Sequence, residues 1–375
     1  MIRRRDVLKL GAAAISLLIA RPSWAQAEPP ALAQETNPAE KARVAALIEG
    51  AKKEGRLSWL GLFIEPQQGE ALIAAFKQHY GLQDHKVEYS YQDSGLIVTQ
   101  TEQLLRAGRS EFDIVWTVAW SWYQDLLQRG ELMKYESPYH AQYKLSNDAG
   151  LSKPGYWVSD GHFFTPIFNP TELAKHGVND FNPKSMKDFI DPRLKRLASI
   201  PNIPSSTSNS PGGIGWLDAL GEQWFMDLKK VVDPVLRAGS AQGRDWVGSG
   251  EYPISLMSHA KDALTLKKRN VTVKVVYPEE GIVMLPFAPV ILSKAKNPNT
   301  AKLFIDFAAS AKGAQTRMDS GLLMFFGRPG VKSSDPDLLT SWEDTKVAKF
   351  DWDTDGSAKT AAKFKDFFET TGLGK

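Results

Sequence analysis

The residues richest in chemistry lie at 204–215. Pro204-Ser205-Ser206-Thr207-Ser208-Asn209-Ser210-Pro211-Gly212-Gly213-Ile214-Gly215 is a hydroxyl- and glycine-rich loop. It runs from a strand end at Ala198–Asn202 into a helix expected over Trp216–Lys230. Free N–H groups at a helix start, joined by serine hydroxyls, form an anion site. No Gly-Lys-Ser/Thr closes the loop, so it is not a P-loop. The plainer alternative is a capped helix start with no ligand. A second unusual stretch is Trp116-Thr117-Val118-Ala119-Trp120-Ser121-Trp122-Tyr123. Trp116 falls inside a strand and belongs to the core. Trp120 falls where a helix begins, and either stacks on a ligand or packs between strand and helix. Catalytic signatures are missing. There is no Gly-x-Ser-x-Gly elbow, no His-Glu-x-x-His and no dinucleotide glycine fingerprint. The six histidines (79, 85, 140, 162, 176, 259) lack ligand spacing. Zero cysteines exclude thiolate nucleophiles, disulfides and cysteine-ligated zinc.

The elements that must position these residues alternate. Ala39–Glu54 is helical by pattern, and Gly55 is its C-cap. Strand Leu57–Ile64, helix Pro66–Tyr80, strand Val87–Tyr91, helix Leu96–Ala107, strand Phe112–Val118 and helix Ala119–Gln128 follow. This β-α-β-α-β order predicts a largely parallel sheet with right-handed crossovers. Ligands on such sheets sit beyond the carboxyl ends of the strands. That rule selects Leu62 and Phe63, then Asp93, Ser94 and Gly95, then Thr117, Val118 and Trp120. Later, Val271–Leu292 reads as two short strands around the turn Pro278-Glu279-Glu280-Gly281. Pro286 and Pro289 are expected to bend the chain, with a third strand from Pro289 to Leu292.

At 375 residues the chain suits about two domains. The net charge of +3 is carried by the first 27 residues, which hold five basic side chains and one acidic. The remainder has 41 basic against 42 acidic residues, a balance that argues against a nucleic-acid partner. Residues 1–27 read as an export signal of twin-arginine type: Arg4-Arg5-Asp6-Val7-Leu8-Lys9, an apolar core Leu10–Ala20, and Ala25-Gln26-Ala27 before cleavage. An ordinary secretory signal with an arginine-rich start is the alternative. Both place the protein in the periplasm. Residues 28–38 read as a disordered lead-in.

Several stretches carry a family resemblance. Tyr277-Pro278-Glu279-Glu280-Gly281 followed by Ala301–Phe307, the Gly248-Ser249-Gly250-Glu251 run, Phe163–Phe168 with Asn169-Pro170, and Gly327-Arg328-Pro329-Gly330 occur in a shared order. In that order they resemble the periplasmic solute-binding proteins of ABC importers, in the branch that includes the iron(III)-binding proteins. The resemblance implies an α/β, two-lobed (type II) fold. Each lobe would be a mostly parallel sheet flanked by helices, with two hinge crossings near Thr165–Phe168 and Ile282–Pro289. Lobe one would be 39–165 and 287–375, and lobe two 166–286. It further implies that the serine-rich loop faces the cleft, making Ser206, Thr207 and Ser208 ligand contacts, and that Arg328 is structural. Iron-binding members place a tyrosine pair near 257–259; here Met257, Ser258 and His259 stand instead. Oxygen donors for ferric ion are missing there, and Ser258 with a polar, cationic His259 suits a carboxylate or phosphate. The implied function is a monomeric, cofactor-free, non-enzymatic solute-binding component that traps a small organic anion and delivers it to an inner-membrane ABC permease. A ferric-ion carrier, using Tyr252 or Glu251 or a co-bound anion, and a secreted hydrolase with a Ser/His/Asp triad are the alternatives.

Overall fold

A computed structural model of the chain describes residues 28–205, 209–348 and 358–373. The leader 1–27 and the serine-rich contacts Ser206, Thr207 and Ser208 lie outside the described residues. Among the described residues, ten strands form two five-stranded sheets. They are β1 (Arg56–Gly61), β2 (Lys86–Tyr91), β3 (Ile114–Thr117), β4 (Asp160–Phe163), β5 (Thr165–Phe168), β6 (Ala198–Pro201), β7 (Val235–Arg237), β8 (Ile254–Ser258), β9 (Lys274–Val275) and β10 (Met284–Ile291). The first half carries helices α1 (Pro30–Ala33), α2 (Pro38–Glu54), α3 (Pro66–Tyr80), α4 (Ser94–Arg106), α5 (Trp120–Gln128), α6 (Lys144–Asp148) and α7 (Pro170–Lys175). The second half carries α8 (Asn209–Leu220), α9 (Glu222–Asp227), α10 (Ser240–Ser249), α11 (Ala260–Lys268), α12 (Pro298–Ala309), α13 (Ala311–Asp319) and α14 (Ala358–Thr370).

Local signals set several boundaries. Asn37 caps α2 by accepting from the N–H groups of Ala39 and Glu40, Pro38 fixes the first turn, and Gly55 ends the helix at φ 71°. Glu65 and Gln68 close a capping box on α3. Residues 28–38, expected as a disordered lead-in, instead include α1, whose Ala31 is buried. Pro30 starts that helix, and Leu32 packs on the core.

The first sheet runs β2-β1-β3-β10-β4 and the second β7-β6-β8-β5-β9. Each has a parallel trio joined to an antiparallel pair. The chain passes from the first sheet to the second at Phe164, between β4 and β5, and returns through 276–283. The expected pair of strands broken at Pro286 and Pro289 is one strand, β10. Its first half pairs only with β4 (Pro286 opposite Gly161) and its second half only with β3 (Pro289 opposite Trp116). Each half is thus an edge on one side, which is where a residue without an N–H fits. Met284–Pro286, expected in lobe two, therefore lies in the first sheet. The chain's end also differs from expectation. Helix α14 packs on α8 of the second lobe, with Phe364 and Phe368 buried.

Candidate functional site

A cleft of about 980 Å³ opens between the two sheets. From lobe one it is lined by Leu62, Phe63 and Glu65 after β1, by Tyr91 at the end of β2, and by Asp93, Ser94, Gly95 and Leu96 after it. From lobe two come Asn202, Ser205 and Asn209 around the start of α8, Gly239, Ser240 and Arg244 around the start of α10, and His259, Lys261 and Asp262 around the start of α11. Helices α4, α10 and α11 all begin here, and none has a side-chain cap bond at Asp93, Gly239 or His259. Their first N–H groups and the positive ends of their dipoles converge on one space.

Ser94 is held from behind. Its Oγ lies 2.8 Å from Thr117 Oγ1, and the Thr117 N–H donates to Tyr123 Oη at 3.0 Å. Tyr123 in turn donates to the Ala288 carbonyl at 2.8 Å. The floor is aromatic. Phe63 stacks on His162 with centroids 3.8 Å apart, and His162 lies 4.8 Å from His259. Phe63 has φ 64°, and Met257, beside Ser258 and His259, has φ 51°. Both are non-glycine residues in the left-handed region, which costs on the order of 1–3 kcal/mol each and gathers at ligand clamps. Arg237 fixes the second by donating from Nη2 to the carbonyls of Leu256 (2.9 Å) and Met257 (2.8 Å). Burial lowers the Arg237 guanidinium to about 10.

Charges of both signs line the cleft. Lys261 Nζ lies 3.2 Å from Glu65 Oε1, linking the lobes, and sits over the Phe63 ring at 5.6 Å. Arg244 Nη1 lies 3.8 Å from Asp262 Oδ1. Burial, with Glu65 and Asp93 nearby, raises the Tyr91 hydroxyl to about 12. His259, expected to be cationic, is not. Burial first, then the charges of His162, Lys261 and Arg237, push it well below the ordinary histidine value, so it is a neutral ring at neutral pH. Its Nε2 lies 3.1 Å from Ser240 Oγ.

The structure thus gathers Leu62, Phe63, Asp93, Ser94 and His259 along one cleft. Thr117 supports it from below. Ser258 is fully buried and donates to Ser255 Oγ at 2.7 Å rather than lining the space. Trp120 is 4% exposed and meets Trp157 edge-on at 5.6 Å, on the packing side of the choice left open by sequence. Tyr252 packs against Trp246 at 4.7 Å, away from the cleft lining. Arg328 donates to the Ala309 carbonyl at 2.9 Å and to Gln142 Oε1 at 2.7 Å, a structural part. Tyr91, Arg244, Lys261 and Asp262 were not among the expected contacts. The strand-end rule could have named Tyr91, the last residue of β2.

The model of a family described as bacterial extracellular solute-binding protein matches residues 69–323, more than half of the chain. The chain belongs to that family. A Haemophilus influenzae protein named only as uncharacterised is 28% identical over 173 residues, 43% of this chain and 49% of that one. The chain spans about half the length of that relative. Solved structures resemble this solute-binding protein over more of its length. The periplasmic binding protein AfuA of Actinobacillus pleuropneumoniae, with exogenous fructose-6-phosphate bound, is 20% identical at TM-score 0.69, covering 84% of this chain and 98% of that one. Iron-bound HitA of Pseudomonas aeruginosa is 20% identical at TM-score 0.65, covering 84% and 99%. The apo ferric ion-binding protein A of Pasteurella haemolytica is 13% identical at TM-score 0.66, covering 86% and 99%. At such identities the likeness establishes the fold, the two-lobed type II architecture of periplasmic binding proteins. No helix among the described residues is long and apolar enough to cross a membrane.

Proposed function

We propose that this solute-binding protein is the periplasmic component of an ABC importer, closing its lobes on a small organic anion and presenting it to an inner-membrane permease. One observation carries the reading. The starts of α4 from lobe one and of α10 and α11 from lobe two meet in a single cleft that also holds Arg244 and Lys261. Peptide N–H groups from two separately moving bodies then engage the same anion, so the anion favours the closed arrangement. The carboxylates of Glu65, Asp93 and Asp262 offset the cationic side chains. Fixed peptide dipoles therefore supply the selectivity for negative charge. Carboxylates, phosphate esters and phosphonates all fit this chemistry, and AfuA's bound fructose-6-phosphate favours the phosphate ester. The leader 1–27 carries the chain out of the cytoplasm. The protein acts as a monomer without catalysis, and the near-balanced charge of the remaining chain leaves nucleic acid no purchase.

A ferric carrier is the second reading, favoured by HitA and the ferric ion-binding protein among the fold neighbours. Against it, Tyr91 is the one tyrosine among the described lining residues. Those described residues also contain no cluster of three or more histidines and carboxylates fit for a metal. Mass spectrometry of the solute released from natively purified protein, with thermal shift against anions and ferric ion, decides between them. An organic anion that raises the melting temperature without being turned over supports the proposal. Tight ferric binding with no organic anion would replace it.

A further inference from the structure

Two large apolar side chains are left uncovered in the cleft. Tyr91 is 39% and Leu96 59% exposed, and both line it from lobe one. Among the described residues Met226 is the one other large hydrophobic side chain so exposed, and it is not part of the cleft lining. Local structure explains why the core does not take the pair. Helix α4 gives its inward face to Ile97, Thr101 and Leu105, four residues apart. Leu96 falls off that face, one turn before Thr99, which also lines the cleft. In β2, Tyr89 and Tyr91 share one face of the strand. Tyr89 lies beside Trp59, stacks on it with centroids 3.9 Å apart and donates to the Ile64 carbonyl. Tyr91 lies beside Gly61, which has no side chain to cover it.

The surroundings select what covers them. Lobe two faces the cleft with polar groups, among them Asn202, Ser205, Asn209, Ser240 and Arg244. Carboxylates stand on both sides: Glu65, Asp93 and Asp262 lie within electrostatic reach of the Tyr91 hydroxyl. They repel a second acid group placed there. They would attract an ammonium, but Glu65 already has Lys261 at 3.2 Å and Asp262 has Arg244 at 3.8 Å. An ammonium laid over Leu96 would also lose its own water without gaining from the apolar surface. An apolar group gains from it, by about fourfold in affinity for each methylene buried. We propose that the solute is an amphipathic organic acid, its acid group at the helix starts and an alkyl or aryl group covering Tyr91 and Leu96. This rests on the anion reading above and names the class of solute.

Isothermal titration with two matched series tests the inference: methyl, butyl and phenyl phosphate with phosphoethanolamine, and acetate, valerate and phenylacetate with β-alanine. In whichever series binds, the butyl, phenyl, valerate or phenylacetate member is expected to bind at least about tenfold tighter than methyl phosphate or acetate. The amino-bearing member should bind more weakly than the alkyl one. The double variant Tyr91→Gln, Leu96→Gln should bring the long and short members within about threefold. Both residues are exposed, so the variant should fold, and melting at the wild-type temperature confirms it. Equal binding of long and short members by the wild type, or tighter binding of the amino-bearing member, overturns the inference and leaves anion binding standing. So does a tenfold preference that survives in the variant, since the apolar group would then rest elsewhere. Binding of none of these probes overturns both.

Discussion

Arg317 shows what a single enclosed charge does here. It is 2% exposed and pairs with Asp160, also buried, while its Nη2 donates to the Ala308 carbonyl at 2.9 Å. Its guanidinium lies 5.0 Å from the Trp116 ring centroid and 4.7 Å from that of Phe326. Replacing it by Met leaves Asp160 as an uncompensated buried charge, and urea melts should show a loss of about 3–5 kcal/mol. Arg317→Lys should recover little, because an ammonium cannot stack between rings and bond at two points. Two buried histidines make a second prediction at this scale. Burial holds His162 and His259 well below the ordinary histidine value. Below about pH 6.5 the unfolded chain takes up protons that the folded chain refuses. Their contribution is therefore complete above about pH 6.5 and is lost as pH falls. Stability should therefore fall between pH 7.5 and 5.5. The double variant His162→Gln, His259→Gln should lose less stability than wild type over that interval in melts at the two pH values.

At the scale of elements, α14 gives the sharpest expectation. Phe364 is 1% exposed and its ring faces Phe225 and Phe368 at 6.2 and 5.9 Å. A Cβ on Gly213 of α8 would meet it at 2.6 Å, so that glycine is what lets the ring seat. Phe364→Ala should cost about 3–5 kcal/mol of local stability. Hydrogen exchange should speed in α14 while the amides of β1 and β3 stay protected. The sequence did not place α14, because an amphipathic pattern shows that a helix covers a core and not which core. It did place α2 to α5 with β1 to β3, since caps such as Asn37 and Gly55 and the alternation of strand and helix are short-range signals. The same locality explains the site. The rule of strand ends found Leu62, Phe63, Asp93 and Ser94, whereas Arg244, Lys261 and Asp262 reach the cleft through the packing of α10 and α11. Trp120 was undecidable for a similar reason. It lies one turn before Tyr123 and shares its inward face, and Tyr123 is committed to Thr117 and Ala288.

Across the whole molecule, α11 is the element that ties one lobe to the other away from the crossings. Lys261 reaches Glu65 at 3.2 Å, and Lys267 reaches Asp335 at 2.8 Å and Asp337 at 3.3 Å. Behind the cleft the returning segment is braced as well. Ile282 bridges Val347, the Ala348 N–H donates to the Ile282 carbonyl at 2.9 Å, and Tyr277 Oη donates to the Leu338 carbonyl at 2.7 Å. These backbone and aromatic contacts do not respond to salt. The lysine pairs do, being partly in water and within reach of counterions. Opening by ionic strength should therefore act through α11 and leave the bracing intact. X-ray scattering of the unliganded protein should show a larger radius of gyration in 1 M than in 0.1 M sodium chloride. The double variant Lys261→Gln, Lys267→Gln should show the larger value already at low salt and respond little to more. Superimposable curves for both proteins at both salt concentrations would mean that the lobes are held by the braces alone, and that closure on a solute turns on the cleft contacts rather than on these bridges.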